Sequence, residues 1–189
     1  GVMASMLFLW GFVKNRSENK QLIQAAETDA LTSAYNKRST EERIHNVLQE
    51  HPQETGTFVI MDVDHFKEVN DTYGHITGDK VLHKFGEVLH EHFREGDIVG
   101  RIGGDEFVVY MRKTDSREVA VSRIESLIKK VEELSFTEMN GKNITISAGM
   151  AFAPDHGTGY FDLYKNADTA LYKTKQNGRD GYNIYEEEK

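Results

Sequence analysis

Arg101-Ile-Gly-Gly-Asp-Glu-Phe-Val-Val-Tyr110 is the stretch that decides the fold, because it sets two glycines and two carboxylates between two apolar runs. The runs predict the strands of a tight hairpin, with residues 98–102 entering it and residues 107–110 leaving it. Gly103 and Gly104 allow a positive φ and remove side chains at the tip, so a ligand can approach the backbone closely. A hairpin that only joins two strands does not need consecutive acids. Asp105 and Glu106 therefore indicate a metal site.

A second pair of carboxylates stands at the end of residues 57–63, a continuous β-branched and apolar run that predicts a buried central strand. We interpret Asp62 and Asp64 as pointing to opposite faces, so that Asp62 meets the hairpin acids and Asp64 caps the following helix or turn. Converging carboxylates repel by about 4 kcal/mol per close pair, and a divalent cation removes that cost. Oxygen ligands without His or Cys favour Mg²⁺, with Mn²⁺ as the alternative, and both ions leave positions for phosphates.

The residues after this strand suit a phosphate-rich ligand. His65 and Phe66 offer backbone amides beside the acidic strand, and Lys67 adds a cation. Lys175 and Arg179 lie four residues apart at the end of the last predicted helix. Capping of the helix C-terminus is a competing explanation for that pair.

Residues 70–79 combine turn chemistry with a predicted helix N-terminus. The structural interpretation makes Asp79 the N-cap of that helix. In the functional alternative, Asp79 accepts two parallel N–H bonds from a guanine edge and Asn70 supplies another polar contact. Adenine cannot donate that pair, so such a site would select guanine.

Composition restricts the classes of function. A chain of 189 residues suits one domain with room for an appendage. Its net charge of −8 disfavours nucleic-acid binding, which needs a basic face. The sequence has no Cys, which excludes disulfides and thiolate metal sites and is compatible with a reducing cytoplasm.

The first 27 residues differ from the rest of the chain. Residues 3–13 are almost wholly apolar, are too few to span a bilayer, and precede three basic residues. One interpretation is the cytoplasmic end of a truncated transmembrane helix. The other is a cloning remnant with a helix that packs on the domain or on a second copy. Residues 17–27 predict a helical linker, which divides the chain into an N-terminal segment, 1–27, and a domain, 28–189.

Periodicity along the domain predicts alternating helices and strands. The predicted order is helix 38–50, strand 57–63, helix 79–93, the hairpin, helix 116–134, strand 144–152 and helix 160–176. This order predicts an α/β sandwich whose central sheet is mixed, largely antiparallel and flanked by helices.

Three motifs together resemble the diguanylate cyclase (GGDEF) family: DVDHFKEVNDTYGHITGD at 62–79, RIGGDEF at 101–107 and ADTALYKTKQNGRD at 167–180. The resemblance runs from about Asp29 to about Tyr185 in the family's order and spacing. It implies a cyclase-type α/β domain related to adenylyl cyclase and polymerase palm modules. Two departures touch none of the metal or base positions: residues 31–37 read LTSAYNK where the family usually has LTGLxNR, and the third signature position is Asp rather than Glu.

The resemblance also implies residue roles. The metal ligands are Asp62, the Val63 carbonyl and Asp105; Asp105 is also the base for the 3′-hydroxyl, with Glu106 supporting it. The implied substrate contacts are Lys67, Lys175 and Arg179 on the triphosphate, Asn70 and Asp79 on guanine, with His65, Phe66, His75, Gly103 and Gly104 beside the nucleotide. Lys67 is in addition the candidate for stabilising charge in the transition state. Arg94 and Asp97 fall where the family carries a product-binding inhibitory site, although taken alone they would be an ordinary surface pair.

The implied reaction condenses two GTP molecules into cyclic di-GMP with release of two pyrophosphates, using Mg²⁺. One domain holds one GTP, so a homodimer is expected to bring two sites face to face. The expected location is the cytoplasm, as a domain of a bacterial signalling protein that the apolar N-terminal segment could tether to the inner membrane. The alternative is a catalytically silent module that binds GTP or cyclic di-GMP as a sensor.

Overall fold

A strand with both faces covered lies at the centre of the molecule. The structure is a computed structural model and describes residues 2–114 and 116–187, apart from the side chains of residues 2–5, 7, 8 and 11. The elements follow the order α1 (Val2–Glu27), α2 (Lys37–Glu50), β1 (Gly56–Val63), α3 (Phe66–Tyr73), α4 (His75–His92), β2 (Ile98–Arg101), β3 (Glu106–Arg112), α5 (Arg117–Glu132), β4 (Ser135–Phe136), β5 (Lys142–Asn143), β6 (Ile146–Ala153), α6 (Tyr160–Gln176) and β7 (Gly181–Ile184), with a 3-10 turn at Thr137–Met139.

The main sheet has the strand order β2-β3-β1-β6-β7. β2, β3, β1 and β6 pair antiparallel, and β7 joins β6 in parallel. All eight residues of β1 are buried. A strand covered on both faces needs apolar residues in succession rather than alternation, which explains its continuous apolar run. The predicted mixed and largely antiparallel α/β architecture is confirmed.

Helices cover the two faces of the sheet with separate apolar clusters. Val59 and Met61 of β1 face α4 and α5, where Phe85 packs edge to face on Phe107 with ring centroids 4.9 Å apart. Phe58 and Ile60 face α2 and α6. The alternation along β1 places Asp62 on the α6 side of the sheet, in phase with Phe58 and Ile60.

α6 is seated directly on the sheet at Gly149. A Cβ at that position would lie 2.1 Å from the carbonyl oxygen of Ala167 in α6, so only glycine permits this backbone contact. The close approach fixes the height of α6 above β1 and β6. It therefore determines which side chains of α6 reach the end of β1.

Several predicted boundaries change in the structure. The hairpin is confirmed as β2–β3, with Arg101 opposite Phe107. The helix expected at 79–93 begins four residues earlier, at His75, because Gly74 with φ of 86° ends α3 and starts α4. α3 and β7 were not predicted. Phe66, Val69 and Tyr73 recur at helical spacing in α3 and were the signal available for it.

The N-terminal segment forms one continuous helix, α1, instead of an apolar piece and a separate linker. Within the described residues, no helix combines the length and apolar character needed to cross a bilayer. Its apolar side chains include Leu9, Trp10 and Val13, which are all exposed.

Candidate active site

Two carboxylates face each other across the end of the β1–β3 pair. Asp62 is the direct cross-strand partner of Glu106, so both side chains start from the same face of the sheet, the face that α6 covers. Asp105 precedes Glu106 at the hairpin tip and is half-buried. The sequence prediction that Asp62 meets the hairpin acids agrees with this pairing.

Asp62 is a buried carboxylate that lacks part of its partners. Its Oδ2 forms an ion pair with Lys175 Nζ. Its Oδ1 is buried and has no hydrogen-bond partner in the described structure. The pKa of Asp62 is raised to about 6, chiefly by burial and in smaller part by the charges of Asp105 and Asp64, against the opposing effect of Lys175. A bound cation would stabilise the negative charge of an unpartnered carboxylate oxygen that lies next to another acid.

The residues predicted to bind a metal do not form a cluster of three side chains in this structure. Among the described residues, no three His, Asp or Glu side chains lie close enough to hold an ion. Glu106 accepts a hydrogen bond from Tyr164 of α6, whose hydroxyl lies 2.9 Å from Oε1. The orphaned Asp62 Oδ1, Asp105 and the Val63 backbone at the end of β1 still supply hard oxygen donors of the kind that Mg²⁺ prefers.

Asp64 is fully bonded, in contrast to Asp62. Its carboxylate accepts from Ser147 Oγ at 2.6 Å, Thr145 Oγ1 at 2.7 Å and the Asp180 amide at 3.1 Å. The prediction that Asp62 and Asp64 point to opposite faces is wrong, since side chains two residues apart along a strand share a face.

The capping role predicted for Asp64 is also wrong. The N-cap position of α3 is His65, in the left-handed conformation, and no side chain caps the helix. Asp64 ties β1 to the loop before β6 and to the turn before β7, which makes it a structural residue.

The hairpin tip is held by a residue that sequence reasoning missed. Arg101 donates to the Gly103 carbonyl at 3.2 Å and to the Gly104 carbonyl at 2.7 Å, and its other end pairs with Asp29 at 3.0 Å. Gly103 and Gly104 do not have positive φ, so the predicted conformational reason for them is wrong. The tip is open at Gly104, where nothing lies within 4 Å of a built Cβ, whereas a Cβ on Gly103 would lie 3.5 Å from that of Glu106.

α3 and the start of α4 carry the candidates for phosphate and base binding. Lys67 is exposed and lies 3.7 Å from Asp71, one turn along α3. Asn70 lies inside α3 rather than in a turn, and its Oδ1 would be 1.9 Å from a Cβ at Gly78. Gly78 therefore lets Asn70 pack against α4 immediately beside Asp79.

Asp79 is not a helix cap. It lies within α4, whose N-cap position is Gly74, so its side chain does not cap the helix. It is exposed, as is His75, the first residue of α4. The structural alternative for Asp79 is therefore wrong, and the functional one stays a prediction.

The two basic residues near the end of α6 differ in their surroundings. Lys175 reaches back to Asp62, so capping does not account for it. Arg179 is exposed, has φ of 66°, and donates its backbone N–H to the Thr174 carbonyl at 3.0 Å. The backbone N–H groups of Asn177 and Arg179 thus bond carbonyls at this end of the helix, and the Arg179 guanidinium stays on the surface.

Arg94 and Asp97 are not an ordinary surface pair. The Asp97 side chain is fully buried and accepts from Arg123 at 2.7 Å, from the Arg112 amide at 3.1 Å and from Arg94 Nε at 3.3 Å. Arg94 remains more than half exposed and borders a cavity of about 810 Å³ that the end of α1 closes on the other side. Arg123, which sequence reasoning missed, anchors this cluster to α5.

Sequence comparisons with known proteins match this chain to a family and to several relatives. The family model described as "Diguanylate cyclase, GGDEF domain" matches residues 26–181. The chain is 34% identical over 170 residues to the bifunctional diguanylate cyclase/cyclic di-GMP phosphodiesterase MucR of Pseudomonas aeruginosa, covering 89% of this chain and 25% of MucR. It is 33% identical over 185 residues to the probable diguanylate cyclase DgcC of Escherichia coli, covering 94% of this chain and 49% of DgcC. The chain thus spans between a quarter and a half of these relatives.

A solved structure shares the architecture over almost the whole chain. The coiled coil and GGDEF domain of DgcB from Caulobacter crescentus, in complex with c-di-GMP, superposes with a TM-score of 0.83 at 25% identity, covering 97% of this chain and 98% of that one. With the family model matching most of the sequence and the acidic hairpin where the motif requires it, the chain belongs to the diguanylate cyclase GGDEF-domain family.

Proposed function

We propose that this domain is a diguanylate cyclase that joins two GTP molecules into cyclic di-GMP and releases two pyrophosphates. The observation that carries the proposal is the buried, unpartnered Oδ1 of Asp62, opposite Glu106 and influenced by Asp105, beside the open backbone of Gly104. Such an arrangement suits a cation and a nucleotide together. Relatives named diguanylate cyclases at 33–34% identity support the assignment.

The metal would be held by Asp62, the Val63 carbonyl and Asp105, and Mg²⁺ fits these oxygen donors, with Mn²⁺ as the alternative. A bound Mg²⁺ would neutralise phosphate charge and polarise the α-phosphate. Lys175 occupies Asp62 Oδ2 in the present structure. Its ammonium would be released to the triphosphate, where Lys67 and Arg179 supply further positive charge.

The nucleotide would be recognised by α3 and α4. Asp79 accepts the two N–H bonds of the guanine edge, and Asn70, packed beside it against Gly78, adds a polar contact. The amides of His65 and Phe66 at the start of α3 face the phosphates. Gly103 and Gly104 leave room for the nucleotide beside His75.

The chemistry would require two chains, because each domain presents one acidic hairpin and the product contains two nucleotides. Asp105 takes the proton from a 3′-hydroxyl, with Glu106 supporting it. The 3′-oxygen then forms a bond to the α-phosphorus of the other GTP. The bond from that phosphorus to the α–β bridging oxygen breaks, and pyrophosphate leaves with the electron pair. A second such step, in which the 3′-oxygen of the other nucleotide attacks the α-phosphorus of the first, closes the ring. Proximity in the dimer supplies much of the rate.

Two features outside the proposed active site would regulate its activity. α1 is a long helix with exposed apolar side chains, which suits pairing with a second copy that orients the two sites. Arg94, exposed beside a large cavity and held by the buried Asp97, would bind cyclic di-GMP as an inhibitor.

The test is a product assay. The protein is incubated with GTP and Mg²⁺ at concentrations that allow dimers, and the nucleotides are separated by chromatography. Wild type should yield cyclic di-GMP, and Asp105→Ala should yield none while keeping the wild-type circular dichroism spectrum. Asp155→Ala is the matched control, since Asp155 lies beyond the opposite end of the sheet in a pair with Arg117.

A catalytically silent binding module is the competing outcome of that assay. Wild type that forms dimers and makes no cyclic di-GMP would overturn the enzymatic proposal. Calorimetry that then shows tight binding of cyclic di-GMP or GTP would assign the domain to a sensor. Retained turnover in Asp105→Ala would remove Asp105 from its role as base.

A further inference from the structure

Tyr164 makes the hydrogen bond that holds Glu106. Its hydroxyl lies 2.9 Å from Oε1 and donates to it, across 58 residues of sequence. A carboxylate with one oxygen engaged by a fixed donor loses much of its rotational freedom, and its second oxygen then faces a defined direction. Glu106 is therefore held by α6 rather than by its own hairpin.

The Tyr164 ring is itself held in place by two aromatic neighbours. It stacks on Tyr160 with centroids 6.1 Å apart and an interplanar angle of 26°, and it meets Phe58 edge to face at 6.4 Å. Both neighbours are buried. A ring packed between β1 and its own helix cannot swing its hydroxyl away without breaking these contacts.

The backbone of α6 is fixed as well. Ala167, three residues after Tyr164, is in direct backbone contact with the sheet at Gly149, where no Cβ fits. The hydroxyl of Tyr164 is thus placed by a helix seated on the sheet and a ring packed on β1. The donor is rigid at both levels.

The same helix supplies a partner to each of the two facing acids. Lys175 pairs with Asp62 and Tyr164 with Glu106. The two partners differ in kind: Lys175 is a flexible side chain, 37% exposed, and can leave when a cation arrives. Tyr164 is confined by aromatic packing and stays.

We propose that Tyr164 is a positioning residue that sets the orientation of Glu106 in the catalytic site, leaving Oε2 directed to the metal and the reacting hydroxyl. The proposal rests on the proposed diguanylate cyclase function, since it assigns Glu106 a role beside Asp105. It adds a second residue of α6, besides Lys175, to the acidic site at the end of β1 and the hairpin.

The first experiment compares Tyr164→Phe with Tyr160→Phe, which removes a hydroxyl from the stacked neighbour that has no hydrogen bond to Glu106. Losing one such bond should lower kcat about three- to tenfold in Tyr164→Phe. KM for GTP should stay at the wild-type value, because Glu106 does not hold the base or the triphosphate. Tyr160→Phe should keep the wild-type kcat. Equal losses in both variants, or a change confined to KM, would overturn the proposal.

The second experiment measures Mn²⁺ binding by calorimetry in the presence of guanosine α,β-methylene triphosphate, which cannot release pyrophosphate. Tyr164→Phe should weaken Mn²⁺ binding about three- to tenfold, for the same loss of one hydrogen bond. In a Glu106→Ala background the same substitution should change nothing, because its acceptor is gone. Unchanged or tighter binding in Tyr164→Phe, or an effect that persists without Glu106, contradicts the proposal.

The two experiments separate this inference from the proposed function. A wild type that binds Mn²⁺ with the analogue but makes no cyclic di-GMP fails as a cyclase, and the binding series still decides the role of Tyr164. A wild type that binds no Mn²⁺ overturns both.

Discussion

Asp62→Asn should make the metal-free protein more stable at neutral pH, although it removes a residue of the proposed metal site. An aspartate side chain ordinarily has a pKa of 3.8, which applies to the unfolded chain, whereas the pKa of Asp62 in the folded protein is about 6, chiefly because of burial. Between these two values the folded protein holds a proton that the unfolded chain has released. The free energy of unfolding therefore falls as the pH rises through this window.

The magnitude follows from the shift. At about 1.4 kcal/mol per pKa unit, the charged carboxylate costs the folded protein about 3 kcal/mol at about pH 7.5 and about 1 kcal/mol at about pH 4.5. The attraction of Lys175 lowers the pKa and is already contained in this net shift. We expect a stabilisation of about 3 kcal/mol at about pH 7.5 that falls to about 1 kcal/mol at about pH 4.5.

The assay is urea unfolding of both proteins in EDTA at the two pH values. Asp64→Asn is the matched control: it is the same change two residues along, but Asp64 accepts three hydrogen bonds. That variant should lose about 1–3 kcal/mol, because an amide nitrogen would face a donor. Mg²⁺ with a GTP analogue should stabilise wild type and leave Asp62→Asn unchanged. An Asp62→Asn protein that is less stable in EDTA, or a difference independent of pH, would refute the reasoning.

Three further predictions concern the surroundings of the site. Arg94→Ala should relieve inhibition by added cyclic di-GMP without changing turnover in its absence, and unchanged product inhibition would reject the inhibitory site. Asp97→Ala should instead lower the free energy of unfolding in urea by about 3–5 kcal/mol, because it leaves buried donors unpaired. Gly149→Ala should lower the free energy of unfolding, measured by calorimetry, by about 3 kcal/mol, because the added Cβ pushes α6 away from the sheet. A melting temperature equal to that of wild type would contradict the close contact. Arg101→Lys should lower kcat about tenfold, because an ammonium cannot hold the glycine carbonyls and Asp29 together; an unchanged kcat would limit Arg101 to a structural role.

Local sequence patterns predicted the elements that form from neighbouring residues. The continuous apolar run of 57–63 predicts a strand covered on both faces, and β1 is buried along its length. The two apolar runs around Gly103 and Gly104 predict the hairpin, which is β2–β3. Errors appear where a boundary depends on one residue, as at Gly74, which moves the start of α4 four residues earlier. The half-buried β7 carried too short a pattern to be recognised.

The sequence by itself determined which acids and cations this protein carries and that the acids stand at strand ends, because strand periodicity and turn chemistry are local. The tertiary structure decided their states. Asp62 and Asp64 are both aspartates at the end of one strand, yet one has an unpartnered oxygen and the other is fully hydrogen-bonded. The partners of these two acids, like Tyr164 for Glu106 and Asp29 for Arg101, come from segments 58 to 116 residues away. Only the docking of α6 on Gly149 and the closure of the sheet bring these segments together, and no local periodicity encodes such contacts.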